Sequence, residues 1–307
     1  MSSELIRAEQ IVKNFGLTKA LQGVDFSLNA GEIRGLIGEN GSGKSTICSI
    51  ISGIYGCDSG ELFLKGQPYK PESMVDAQKK GVAMIMQEMG TVSGIKVCDN
   101  IFIGKESLFT KNGLVNRRAM RQAAGKILEE LGAGDIDPWA QIDTLNFENR
   151  KLVEIARAMY DDPDILIVDE TTTALSQRGR DIIYNLCDKL SAQGKGVIFI
   201  SHDLDEIMEH CTALTVLRDG VLIDTLDKER MEPSLIKSLM VGREMVGDYY
   251  RSDNDGSYSD EVVLRLKDIY DGRTLKDFNL ELHKGEILGI GGLSECGMHE
   301  VEDWHLE

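Results

Sequence analysis

The chain of 307 residues predicts an α/β fold with a mainly parallel, buried sheet at its core. Five apolar runs that could not all face solvent recur along it: "IRGLIG" (33–38), "VAMIM" (82–86), "ILIVD" (165–169), "VIFIS" (197–201) and "ALTVL" (213–217). Helical patterns lie between several of them, and strands alternating with helices favour parallel pairing with both sheet faces covered. A glycine-rich loop follows the first run.

That run opens the chemistry. It is followed by "GENGSGKST" (38–46), which fits G-x-x-x-x-G-K-[ST], and then by the helical run "STICSIIS". Gly38, Asn40, Gly41, Ser42, Gly43 and Thr46 would bring backbone N–H groups around a phosphate at a helix N-terminus. Lys44 would neutralise β- and γ-phosphates, and Ser45 would place its hydroxyl on Mg²⁺. The cofactors expected are therefore ATP and Mg²⁺. The second run is followed directly by Gln87, which could reach the metal and the attacking water; a lone glutamine is otherwise a surface residue.

From about 92 to 160 the pattern changes. "RRAMRQAAGKILEEL" (117–131) has apolar residues at helical spacing, as do Leu152, Ile155, Ala156 and Met159, which predicts an inserted helical subdomain over about 91–160. "ILIVD" then ends in Asp169 and Glu170 at the edge where a parallel sheet opens to ligands. Read alone, two carboxylates there are a cap or a solvated turn. After a phosphate loop, Asp169 becomes a ligand for hydrated Mg²⁺, and Glu170 the group that orients or deprotonates water. "VIFIS" leads to His202, either a contact for the γ-phosphate or part of a helix start capped by Ser201.

Residues 247–260 are polar, rich in Gly, Ser and Asp, and read as a linker. Placing residues 21–47 on 275–301 at an offset of 254 gives eight identities in 27 positions, among them Gly31/Gly285, Glu32/Glu286 and Gly43/Gly297. Roughly two are expected by chance. Residues 261–307 thus read as the start of a second copy of residues 1–246, in which Met298 stands for the lysine and His299 for the serine. A complete copy would need about 200 further residues.

Composition narrows the partners. The formal net charge of −17, from 51 acidic and 34 basic residues, argues against nucleic acid or anionic lipid as a direct partner. No run approaches the ~20 apolar residues of a membrane span, and "MSSELIRAEQ" lacks a signal-peptide core. A cytoplasmic location is expected. The six cysteines, Cys48, Cys57, Cys98, Cys187, Cys211 and Cys296, have no CxxC spacing and read as thiols rather than disulfides or zinc ligands.

Taken together, "GENGSGKST", "SGIYGCDSGEL", "GVAMIMQEMGTVSGIKVCDNIFIGKE", "RKLVEIARAM", "ILIVDETTTALS" and "ISHDLDEI" resemble the ATP-binding subunits of ABC transporters. The "MIMQE" to "NIFIGKE" stretch looks like the tandem-domain ATPases of simple-sugar importers. The resemblance implies a P-loop NTPase of ABC type, with an antiparallel β edge beside the parallel core. It implies ATP hydrolysis that drives sugar import through integral-membrane permease subunits, with an external sugar-binding protein as indirect partner and the chain peripheral on the inner membrane face. By the same resemblance Phe15 would stack on adenine; the alternative is a core phenylalanine. A soluble tandem ABC protein acting on ribosomes or nucleic acid, or a nucleotide-binding fragment that hydrolyses little, are the other readings. Two departures stand out. "LNFEN" (145–149) replaces the family's LSGGQ signature, and Thr171 replaces a proline. In the family each ATP lies between one domain's loop and the facing domain's signature, so the altered signature and the lysine-less second loop would share one degenerate site.

Overall fold

The computed structural model describes residues 3–241, 257–270, 272, 274–291 and 301. Cys296, Gly297, Met298, His299 and residues 247–256 of the expected linker lie outside the described residues. The chain divides into two compact units, Met1–Glu244 and Met245–Glu307.

The first unit opens with two long antiparallel strands, β1 (Glu4–Phe15) and β2 (Thr18–Asn29), followed by β3 (Ile33–Ile37) and helix α1 (Lys44–Ile51). Strands β4 (Ser59–Leu64) and β5 (Gln67–Pro68) complete a four-stranded antiparallel sheet in the order β2-β1-β4-β5. Helix α2 (Met74–Lys79) and strand β6 (Val82–Ile85) lead into the inserted segment. That segment contains α3 (Val97–Ile101), a small hairpin of β7 (Thr110–Lys111) and β8 (Leu114–Val115), and helices α4 (Arg117–Leu131) and α5 (Phe147–Met159). Helix α4 starts on Asn116, whose side chain accepts from Ala119 N–H, and stops at Gly132 in the left-handed region.

The chain then alternates β9 (Ile165–Asp169), α6 (Gln177–Ala192), β10 (Gly196–Ile200), α7 (Leu204–His210), β11 (Ala213–Arg218) and β12 (Val221–Asp227), and closes the unit with α8 (Pro233–Val241). Six strands form the second sheet, in the order β12-β11-β3-β10-β9-β6. All its pairs are parallel except β11 with β12. Every residue of β3, β9 and β10 is buried, because one face packs on the antiparallel sheet and α1 while the other packs on α5, α6 and the inserted helices. The C-terminal ends of β3, β9, β10 and β6 lie along one sheet edge, so the loops that follow them are brought together.

In the second unit, β13 (Val262–Ile269) pairs with β14 (Phe278–His283). The hairpin repeats β1 and β2 down to its irregularity. Ile6↔Leu28, Ala8↔Phe26 and Ile11↔Val24 correspond to Leu264↔Leu282, Leu266↔Leu280 and Ile269↔Phe278. Both first strands are bulged, with Gln10 at φ 49 and Asp268 at φ 51. In each, the bulge N–H donates to a side chain on the partner strand, Gln10 to Asp25 Oδ1 at 2.8 Å and Asp268 to Asn279 Oδ1 at 2.9 Å. The turns that follow agree as well: Asn29 N–H donates to Glu32 and His283 N–H to Glu286, each at 2.8 Å.

Candidate functional site

The loop from Gly38 to Gly43 doubles back so tightly that two glycines have no substitute. A Cβ on Gly38 would lie 2.1 Å from the Leu217 carbonyl oxygen, and one on Gly43, whose φ is +103°, would lie 2.8 Å from the Ala20 carbonyl oxygen. Helix α1 begins immediately after Gly43. Lys44, 5% exposed, folds back under the loop, and its Nζ donates to the carbonyls of Gly38 at 2.8 Å and Glu39 at 3.1 Å. Burial lowers the Lys44 pKa, an effect that the nearby negative charges of Glu170 and Asp169 partly offset. Among the described residues the buried Ser42 hydroxyl has no hydrogen-bond partner. Asn40, Gly41 and Ser45 are exposed on the rim, and Thr46 is half-buried.

Asp169 closes β9 and is buried; Ser45 Oγ lies 3.5 Å from its Oδ1. Burial, and then the charge of Glu170, raise the Asp169 carboxyl above the ordinary carboxylate range. A desolvated carboxylate, a serine hydroxyl and a neighbouring acid form an all-oxygen donor set that fits a hard divalent cation. Glu170 takes φ +45°, a conformation unusual for any residue but glycine. Its N–H is held by the Ile200 carbonyl at 3.1 Å, and its Oε1 meets His202 Nε2 at 2.5 Å. Helix α7 is capped by Asp203 and not by Ser201, which leaves His202 free of a capping role.

Lys44, Ser45, Asp169, Glu170 and His202 are thus brought together. Gln87 follows β6 at the same sheet edge with its side chain exposed; among the described residues no hydrogen bond joins that side chain to Asp169 or Glu170. Phe15 ends β1 with 42% of its surface exposed, edge-on to Tyr55 at 5.2 Å and beneath Lys13 Nζ at 5.5 Å. It is not a core residue.

Three residues of α5 escaped the sequence reading. Lys151, 1% exposed, donates to the carbonyls of Met86 at 3.0 Å, Gln87 at 3.4 Å and Glu88 at 2.9 Å, and to Glu154 Oε2 at 2.9 Å. Glu154 accepts from Gly90 N–H, and Arg157 donates to the Gly90 carbonyl at 3.0 Å. One helix face therefore grips the whole segment that carries Gln87. The signal available in sequence was three long charged side chains at i, i+3 and i+6, interleaved with the apolar Leu152, Val153, Ile155 and Ala156. At the start of α5, Asn146 is the cap, Phe147 is exposed, and the Glu148 carboxylate accepts from Ser176 N–H at 2.8 Å. Glu148 is thus held within the unit, against the start of α6.

A buried lysine under a glycine loop, paired acids on the adjoining parallel strand and an inserted helical segment define an ATP-binding cassette. The ABC transporter family matches residues 21–173 of this chain. Its fold is similar to that of a nucleotide-free ATP-binding cassette from an ABC transporter (TM-score 0.68, 27% identity, 80% of this chain and 100% of that one). It is also similar to the ADP conformation of MJ1267, an ATP-binding cassette of an ABC transporter (TM-score 0.66, 28% identity, 78% and 99%). In sequence it is similar to the ribose import ATP-binding protein RbsA 2 of Burkholderia pseudomallei, 37% identical over 97% of this chain, and to RbsA of Lacticaseibacillus paracasei, 38% identical over 96%. The chain spans 58% of the length of each of these two relatives.

Proposed function

We propose that this chain is the ATP-binding and ATP-hydrolysing part of a sugar importer, acting on integral-membrane permease subunits from the inner face of the membrane. The observation that carries the reading is Lys44, buried beneath the phosphate loop and facing Asp169 and Glu170 across the sheet edge. The ribose-import relatives support sugar as the transported class. Among the described residues no helix is long and apolar enough to cross a membrane, so transport would require a partner that does.

In this reading the N–H groups from Gly41 to Thr46 hold the phosphates, Lys44 shares its charge between the β- and γ-phosphates, and Phe15 stacks on the adenine. Ser45, Asp169 and Gln87 would hold Mg²⁺. When bound, Mg²⁺ would supply positive charge that offsets the negative charge of the phosphates. Glu170 accepts the proton of the attacking water, and His202, in contact with Glu170 Oε1, steadies that carboxylate and faces the γ-phosphate.

The permease would dock in a groove of about 230 Å³ whose walls include Met74, Val75, Met84, Ile103, Glu154 and Arg157. Residues 1–246 would be the first cassette, with the helical subdomain at about 91–160; residues 247–260 would be the linker and 261–307 the start of a second, degenerate cassette. The repeated bulged hairpin supports that division. A second cassette would supply the signature that completes the site around Lys44.

Nucleotide titration of Lys44→Ala tests the reading. Loss of a charged hydrogen-bond donor, worth about 1.5–3 kcal/mol, predicts ATP binding weaker by roughly 10–150-fold with the fold retained. Unchanged affinity would exclude the phosphate-loop assignment.

A further inference from the structure

Glu170 and His202 lie on different loops, and a single buried carboxylate ties the two loops together. Glu206 projects from α7 and is 9% exposed. Its Oε2 accepts from Thr172 Oγ1 at 3.0 Å and from Ser201 Oγ, and its Oε1 accepts from the Tyr184 hydroxyl of α6. Thr172 stands two residues after Glu170, and Ser201 immediately before His202. The Ser201 hydroxyl is doubly engaged, since it also accepts from Asp203 N–H at 3.0 Å. Tyr184 in turn stacks on the His210 ring, 3.7 Å between centroids, which fixes the third donor.

The left-handed backbone of Glu170 gives this arrangement its meaning. Such a conformation persists only where the surroundings over-determine it. On its N-terminal side the Glu170 N–H is held by Ile200 of β10; on its C-terminal side the chain is pinned through Thr172 to Glu206. With Ser201 held by the same oxygen, the distance between the two loops is set by one carboxylate. We propose that Glu206 is a positioning residue that holds Glu170 in its strained conformation and in register with His202. The proposal rests on the hydrolytic reading above.

The experiment compares the full chain with Glu206→Ala, Glu206→Gln, Glu170→Gln and the double variant Glu170→Gln/Glu206→Ala. It measures hydrogen–deuterium exchange of residues 169–176 and 199–204 without nucleotide, ATP affinity, and single-turnover phosphate release with a complete second cassette supplied. The expected result for Glu206→Ala is faster exchange in both segments, ATP affinity within about twofold of wild type, and phosphate release slowed about 100-fold, the cost of misplacing a reacting group by about 1 Å. Glu206→Gln, which keeps an acceptor oxygen, should fall between. The double variant should be no slower than Glu170→Gln, because groups acting as a unit are not additive. Faster exchange with undiminished phosphate release, or a further loss in the double variant, would overturn the positioning role and leave the hydrolytic reading standing. Absence of phosphate release in wild type, supplied with a complete second cassette, would overturn the hydrolytic reading and this proposal with it.

Discussion

Replacing Lys151 with methionine should destabilise the first unit far more than a change on a helix usually does. The side chain is 1% exposed, and methionine fills most of the same volume, so packing loss is small. What is lost is the cation beside Glu154, itself 5% exposed, together with the donor to three successive carbonyls. Breaking one side of a buried ion pair costs about 3–5 kcal/mol. Glu154 keeps the Gly90 N–H and the neighbouring Arg157 charge, which places the effect near the lower figure. For a unit of the size of Met1–Glu244, about 3 kcal/mol lowers Tm by roughly 6–12 °C. Calorimetry of the nucleotide-free chain measures it directly. Lys151→Met/Glu154→Gln should recover more than half of the loss, because the orphaned charge is then gone. A shift under about 2 °C in the single variant, or no recovery in the double, would refute the account of Lys151 as a buried clamp.

Asp169→Asn should raise the melting temperature of the nucleotide-free chain at neutral pH while abolishing hydrolysis, since it removes a carboxylate whose ionisation burial and Glu170 oppose. A folded-state pKa above the unfolded value means that no penalty exists below the ordinary carboxylate range; it enters as pH rises and is complete above the raised value. The advantage of the variant should therefore vanish toward pH 3, and melting curves over pH 3–7 that show a constant difference would contradict it. Phe15→Ala should weaken ATP binding by about 1–3 kcal/mol, a stacking contribution, yet leave the nucleotide-free melting temperature nearly unchanged because the ring is already 42% exposed. Equal losses of melting temperature with and without ATP would make Phe15 structural.

The parallel core was legible because strands buried on both faces must be mainly apolar, as β3, β9 and β10 are apart from Arg34 and the terminal Asp169. The phosphate loop was legible because its geometry admits almost no alternative residues at Gly38 and Gly43. The details of the antiparallel sheet were not. Bulges between Ala8 and Ile11 and at three further places in the β1–β2 pair break the alternation that marks a half-buried strand. Among site residues, those that touch phosphate carry motifs, whereas Lys151, Glu154 and Glu206 act on the loops behind them. A charged residue on a helix reads as solvated until the tertiary structure covers it.

The strand that precedes the phosphate loop is made early but can be completed only late. Ile33 pairs with Val197 on one side, and Arg34 with Ala213 on the other. During synthesis, therefore, β3 waits without hydrogen-bonded neighbours until β10 and β11 have emerged, while β1 and β2 can already close as a local hairpin. The Leu217 carbonyl that packs against Gly38 arrives with β11, and the Gly220 N–H that donates to the Ser42 carbonyl later still. Nucleotide capture by a nascent chain should thus switch on sharply once the turn at Gly220 leaves the ribosome, and ATP in the surrounding solution would act as a ligand that rewards completion of the sheet.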